Sequence, residues 1–386
     1  MSGLTALSGH CLDASETTGK KPSSEPAWVT LKGARANYEI KWGEQKQARL
    51  NLSDEVRIVG EIGSREMNID GTKFILTKPP KVVNNQVKVW KLDRQKVVEP
   101  ALNPPPPKED PIATTVVLDP GHGGHDSGAQ SSFGDEKRFA LDTAMRAKDL
   151  LEKQGFNVEM TRETDKFLSL EERVEAANQY DNAIFVSIHY NHGGSQSTGV
   201  ESYRLTPTGL PSTADQPNPR DAEPRPGNIN DQENLTLAKY MHDAIMENNN
   251  LPDRGVRQAR FYVIKNSKNP AVLLEGGFLS NETEAELLAT EEYRQELANS
   301  ITAAAVSFRE KLNANEDPLL VQILNNFSDV WQSHEWGQQL RGFMQEWSNL
   351  LSQADEVPSY AHASANDMLE PLHEMFAQNL AQHWVH

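Results

Sequence analysis

Three apolar runs in this chain each end on a side chain able to do chemistry. Val116-Val117-Leu118 leads into Asp119-Pro120-Gly121-His122-Gly123-Gly124-His125-Asp126, which reads as a buried strand whose carboxyl end breaks into a tight glycine loop. Ala183-Ile184-Phe185-Val186-Ser187-Ile188 ends on His189, followed by Tyr190, Asn191 and His192, and Ala271-Val272-Leu273-Leu274 ends on Glu275 before Gly276-Gly277. Imidazoles and carboxylates ligate metals and move protons, so three such groups at strand ends describe a site at the carboxyl edge of an α/β sheet. Spacing alone leaves the set open. His125 follows His122 by three residues and His192 follows His189 by three, and residues i and i+3 share a face only where the backbone is helical.

The elements that must hold these ends alternate. Lys137 to Gln154 carries apolar residues near helical spacing, with Gly155 as its stop, and Asn157 to Thr161 reads as a strand. Leu170 to Tyr180 predicts a short helix, Gly199 to Leu205 a strand, Leu235 to Asn248 a helix and Arg260 to Ile264 a strand. Glu282 to Leu312 predicts one or two closing helices. Between Thr206 and Glu233 an insertion with six prolines predicts an irregular loop near the site.

Outside this core, 386 residues exceed the usual size of one domain. Residues 1–26 read as a disordered lead-in. Residues 27–102 read as a small β-rich domain of short alternating strands, with turns at Asp70-Gly71 and Asn84-Asn85. Pro104 to Pro107 make 103–111 a stiff extended linker. Residues 112–312 form the core domain. Residues 313–386 carry apolar residues at helical spacing and read as an acidic helical extension whose stripe either packs internally or meets a partner or a second copy. The expected fold is thus a three-layer α/β domain with a central, mostly parallel or mixed sheet flanked by helices, bracketed by the β region and the helical extension.

Charge narrows the partners. Residues 1–110 carry 17 basic and 14 acidic side chains, and residues 313–386 carry 1 and 10. No segment has the positive balance of a nucleic-acid binder. No run of about 18 apolar residues is present to cross a membrane, and the single Cys11 excludes an internal disulfide.

Leu118-Asp119-Pro120-Gly121-His122-Gly123-Gly124, Glu136-Lys137, Ser187-Ile188-His189-Tyr190-Asn191 and Leu274-Glu275-Gly276-Gly277-Phe278-Leu279-Ser280-Asn281, in that order, resemble the motifs of the zinc-dependent N-acetylmuramoyl-L-alanine amidases of bacterial cell-wall turnover. Met160-Thr161-Arg162-Glu163-Thr164-Asp165, Leu170-Glu171-Glu172-Arg173, Gly199-Val200-Glu201 and Asp253-Arg254-Gly255-Val256 extend the resemblance, which covers about residues 114 to 312. The resemblance implies one Zn2+ held by His122, Glu136 and His189, with Glu275 as the catalytic acid-base group. Asn191 matches a recurrent position and is a candidate for orienting substrate. Asp135 competes with Glu136 for the carboxylate role, and Lys137 favours Glu136. Tyr190 stands where a small residue is more usual, which bears on substrate fit.

The implied reaction is hydrolysis of the amide between N-acetylmuramic acid and L-alanine in peptidoglycan, in cell-wall turnover or cell separation. The alternatives are a zinc peptidase acting on stem peptides and a non-catalytic wall-binding protein. Implied partners are peptidoglycan, with either an activator protein or self-association through 313–386. The implied location is the periplasm, cell envelope or exterior. Leu7-Ser8-Gly9-His10-Cys11 has the outline of a lipoprotein acylation site, but His10 stands where a small residue is required, so the start reads as truncated or misassigned.

Overall fold

The structure, a computed structural model, describes residues 28–30, 47–51, 57–84, 86–106, 114–214 and 219–313, all within one compact unit. The lead-in and the extension beyond Asn313, with its expected association surface, lie outside the described residues.

Ten strands form one mixed sheet: β1 (Gln47–Asn51), β2 (Arg57–Glu61), β3 (Glu66–Ile69), β4 (Thr72–Ile75), β5 (Thr115–Pro120), β6 (Asn157–Met160), β7 (Ala183–Asn191), β8 (Val200–Leu205), β9 (Asp253–Ala259) and β10 (Ala271–Phe278). Their spatial order is β6-β5-β7-β10-β8-β9-β4-β3-β2-β1. β6, β5, β7 and β10 are parallel, β8 runs antiparallel to β10, and β9 is parallel to β8. At Val256↔Phe74 the sheet passes from β9 to β4, and the antiparallel meander β4 to β1 continues it. Part of the β-rich region therefore extends the core sheet. The remainder, Trp28–Thr30, Lys81–Val83 and Gln86–Trp90, forms a separate three-stranded sheet. Asp70 (φ 51°), Gly71 (φ 87°) and Asn84 (φ 51°) are left-handed at the expected hairpin turns.

Alternation along the strands decides what each face does. One face carries Val116, Leu118, Ile184, Val186, Ile188, Val272 and Leu274. Three long helices cover it: α1 (Glu136–Lys153), α3 (Asp231–Asn248) and α6 (Glu291–Asn313). The other face begins apolar at Val117, Phe185 and Leu273, under the short helices α2 (Leu170–Ala177) and α4 (Tyr262–Asn266). Two residues further along these strands the same face turns polar, at Asp119, at Ser187 and His189, and at Glu275. The site lies where this second face loses its helical cover. A sixth helix, α5 (Glu282–Leu288), follows β10.

Three expectations are corrected. Arg260–Ile264 is not a strand: the strand is β9, and the short run Phe261-Tyr262-Val263-Ile264 enters α4, because four apolar residues show no period. Residues 91–102, within the region read as strands, are helical. Val97, Val98 and Ala101 are buried there, and the fully buried Arg204 donates from Nη2 to the Lys96 carbonyl (2.8 Å). The described part of the proline-rich insertion is not near the site. Arg204 pairs with Val272, so the end of β8 adjoins the start of β10, and the described part of the insertion packs there: Thr206 N donates to Ala259 O and Thr213 N to Gln258 O. That edge is opposite the one carrying His189 and Glu275.

Candidate metal centre and active site

His122, Glu136 and His189 converge, with one donor atom from each lying within 4.8 Å of the others. Glu136 is the first residue of α1 and is 4% exposed. Its Oε1 lies 3.1 Å from His122 Nε2 and 2.9 Å from His189 Nδ1. Backbone donors fix the carboxylate, Tyr190 N on Oε1 (3.0 Å) and Ala129 N on Oε2 (2.8 Å). Burial alone would raise its pKa, but hydrogen bonds and charge from His122 and His189 hold the carboxyl well below the usual range.

His122 sits at φ 59°, an uncommon backbone state for a residue with a side chain. Its surroundings enforce it. Arg173 Nη2 donates to the His122 carbonyl (2.6 Å), and Asp126 Oδ2 lies 2.8 Å from His122 Nδ1, which leaves Nε2 facing Glu136. Arg162 completes the clamp, with Nε on Pro120 O (3.0 Å) and Nη2 on Gly121 O (2.7 Å). Beneath the loop Asp119, with no exposed surface, accepts from Arg173 Nη1 (2.8 Å), Thr161 Oγ1 (2.7 Å) and Ser187 Oγ (2.8 Å). Arg173 arrives on α2, whose start is fixed by a reciprocal capping box between Ser169 and Glu172. Gly121 has a packing reason: a Cβ there would stand 2.3 Å from His189 Cε1.

Glu275 pairs in register with His189 on β7 and with Glu201 on β8. Its Oε2 is buried and has no hydrogen-bond partner among the described residues. Burial, then the Glu136 and Glu201 carboxylates, push its pKa well above the carboxylate range. Two imidazoles and one carboxylate, with an unpartnered acid-base group beside them, are the donor chemistry of a hydrolytic zinc site with one position open. The Asp126 carboxylate on the far nitrogen of His122 is the usual way a metal-binding imidazole is oriented.

The competing residues point elsewhere. His125 stacks on Phe167 with centroids 4.2 Å apart, and His192 is exposed. Asp135 Oδ1 accepts from Gln130 Nε2 (3.2 Å). Asn191 gives its Nδ2 to Glu201 Oε2 (2.9 Å) and accepts from His192 N on Oδ1 (2.8 Å), so its amide is engaged by the protein. Tyr190 turns onto the helical face, where its hydroxyl meets Thr143 Oγ1 (2.7 Å). Its bulk is therefore spent in the core and does not bear on substrate fit. Sequence reasoning gave no role to Asp119, Asp126, Arg162, Arg173 or Glu201. The available signal was a carboxylate inside an apolar strand run, as at Asp119, and cations in the short segments between strands.

A family model described as N-acetylmuramoyl-L-alanine amidase matches residues 116–307. The uncharacterized protein YqiI of Bacillus subtilis is 34% identical over 197 residues, 51% of this chain and 85% of that protein. The N-acetylmuramoyl-L-alanine amidase AmiA of Escherichia coli is 30% identical over 217 residues, 50% of this chain and 75% of that protein. The solved catalytic domain of CwlV, an amidase of the same name from Bacillus (Paenibacillus) polymyxa, is 32% identical, covers 51% of this chain and 98% of that one, and has a TM-score of 0.43. The chain spans 64% and 63% of the lengths of two other Bacillus amidases that it matches.

Proposed function

Because this chain belongs to the N-acetylmuramoyl-L-alanine amidase family, we propose that its core hydrolyses the amide joining the lactyl group of N-acetylmuramic acid to the L-alanine of the peptidoglycan stem peptide. The observation that carries this reading is the convergence of His122, Glu136 and His189 beside the unpartnered Oε2 of Glu275. The three would hold Zn2+, which when bound acidifies a water and polarises a carbonyl oxygen.

The chain's own groups do the rest. Glu136 enters as an anion, kept so by its backbone donors and the two imidazoles. Arg162 and Arg173 hold the loop carbonyls from Pro120 to His122, so that His122 is presented without rearrangement. Glu275 takes a proton from the attacking water and returns it to the departing alanine nitrogen. Burial and the neighbouring carboxylates raise its pKa, which suits the second half of that task, the return of the proton. Asn191 acts through Glu201, steadying the residue that pairs with Glu275. Peptidoglycan as substrate places the work outside the cytoplasm, and among the described residues no helix is long and apolar enough to cross a membrane.

Mass spectrometry of the products released from purified sacculi tests the reaction. Chelator-sensitive release of intact stem peptides with N-terminal alanine is the expected result. Release of shorter fragments cut within the stem would identify a peptidase, and binding without any release would identify a wall-binding protein.

A further inference from the structure

Beside the catalytic row, β9 contains a bulge. Val200 of β8 pairs with Asp253 and Ser202 with Val256, so Arg254 and Gly255 together face Glu201 alone. Gly255 has φ 83°, and a Cβ there would stand 3.0 Å from the Lys73 carbonyl, so glycine is required. The Asp253 carboxylate locks the bulge by accepting from Gly255 N on Oδ1 (2.8 Å). Residues three apart on a regular strand point to opposite faces. The extra residue instead brings Arg254 and Arg257 to the same carboxylate, a re-aiming that bulges perform next to active sites.

That carboxylate is Glu201, 3% exposed and the register partner of Glu275. Its Oε1 accepts from Arg254 Nε (2.6 Å) and pairs with Arg257 Nε at 3.2 Å. Its Oε2 accepts from Tyr203 Oη (2.7 Å) and Asn191 Nδ2 (2.9 Å). Both arginines are thus held by Nε, and their terminal Nη groups make no hydrogen bond to any described residue. The Arg254 guanidinium lies over the Phe278 ring, 5.0 Å from Cζ to centroid, at the carboxyl end of the strand bearing Glu275, and 35% of its side chain is exposed. Two forks pre-aligned by a buried glutamate, with their paired N–H donors unspent, form a receptor for a planar anion.

We propose that Arg254, supported by Arg257, binds a carboxylate of the stem peptide next to the scissile amide and is a specificity-determining residue. The choice of a peptide carboxylate rests on the amidase reading. In peptidoglycan the lactyl carboxyl is consumed in the amide to be cut, so the free carboxylates lie on the peptide. Arg254 therefore marks the side of the site that takes the leaving peptide. Glu201 is a positioning residue that fixes the arginines and does not itself touch substrate.

The test is direct binding of L-alanyl-D-glutamine, whose side-chain amide stands in for the onward γ-linkage and leaves only the α-carboxylate free, and of its α-carboxamide to the zinc-loaded full chain by isothermal titration. Wild type should bind the carboxylate peptide at least about tenfold more tightly, the scale of a charge-assisted hydrogen bond partly screened by solvent. In Arg254→Gln the preference should fall to within about twofold, and Arg254→Lys, which keeps the charge and loses the fork, should be intermediate. Equal binding of the two peptides by wild type overturns the proposal without any variant, as does an Arg254→Gln change that weakens both peptides alike. A wild type that prefers the carboxylate but releases nothing from sacculi would sink the amidase reading and leave this one standing. Release without preference would do the reverse.

Discussion

Replacing Arg173 by Met tests whether the His122 loop is held from beneath. The substitution keeps most of the side chain's apolar length and removes three hydrogen bonds: Nη1 to Asp119 Oδ1 (2.8 Å) and to Pro120 O (2.8 Å), and Nη2 to His122 O (2.6 Å). It leaves Asp119 with no exposed surface, no countercharge from Arg173 and only the Thr161 and Ser187 hydroxyls as donors. Breaking one partner of a buried pair costs about 3–5 kcal/mol, because the remaining charge stays desolvated. Set against a total stability of roughly 5–15 kcal/mol, this is a large loss. The carbonyl of His122 is freed as well, so its left-handed backbone can relax and carry the imbalance to the metal site. Losing such a supporting contact weakens metal binding about 10–100-fold. Urea melts give the first quantity and a competition titration against a chromophoric chelator gives the second. A destabilisation below about 1 kcal/mol with zinc affinity unchanged would refute the clamp.

Gly121→Ala places a methyl 2.3 Å from the His189 ring. It should cost about 1–3 kcal/mol by overpacking and lower zinc affinity, and a fully zinc-loaded variant with wild-type stability would count against the packing argument. Shortening the insertion within 207–214 should leave turnover on sacculi within about twofold while lowering the melting temperature, since these residues line the edge opposite the site; a large rise in activity would mean the segment reaches the site after all. Asp253 is half-buried, and although burial raises its pKa, the His242 hydrogen bond and charge dominate and hold it below the ordinary value of 3.8. A carboxyl depressed in the folded state stabilises the fold above its unfolded pKa and loses that contribution as pH falls through the folded one. The stability gap between wild type and Asp253→Asn should therefore shrink as pH falls below about 3.8. A gap that grows on acidification would invert the assignment.

The sequence made the core strands legible because their β-branched and apolar runs have no competing reading, and the break from apolar to polar at Asp119, His189 and Glu275 shows where helical cover ends. It did not reveal the direction of β8. One reversed strand carries the insertion to the far edge, and nothing in Val200-Glu201-Ser202-Tyr203-Arg204-Leu205 marks orientation. The helical run at 91–102 was hidden because its apolar residues, Leu92, Val97, Val98 and Ala101, leave a gap from 93 to 96, and it is anchored from outside by Arg204 and α3. That His122, Glu136 and His189 converge was legible in motif order, whereas the clamp was not: Arg162 and Arg173 act on carbonyls some forty to fifty residues away in sequence, and only the fold brings those together. Glu201 and Arg254, though part of matching motifs, had no visible role because a bulge, which alternation cannot display, joins them.

The most direct test of the account is Glu275→Gln, measured for zinc content and for turnover of sacculi together. Glu275 is assigned the proton and not the metal, so the variant should bind one zinc per chain with wild-type affinity and lose turnover by at least about a hundredfold. Loss of zinc together with activity would make Glu275 a ligand, and retained activity would remove it from the chemistry; either result would contradict the central claim.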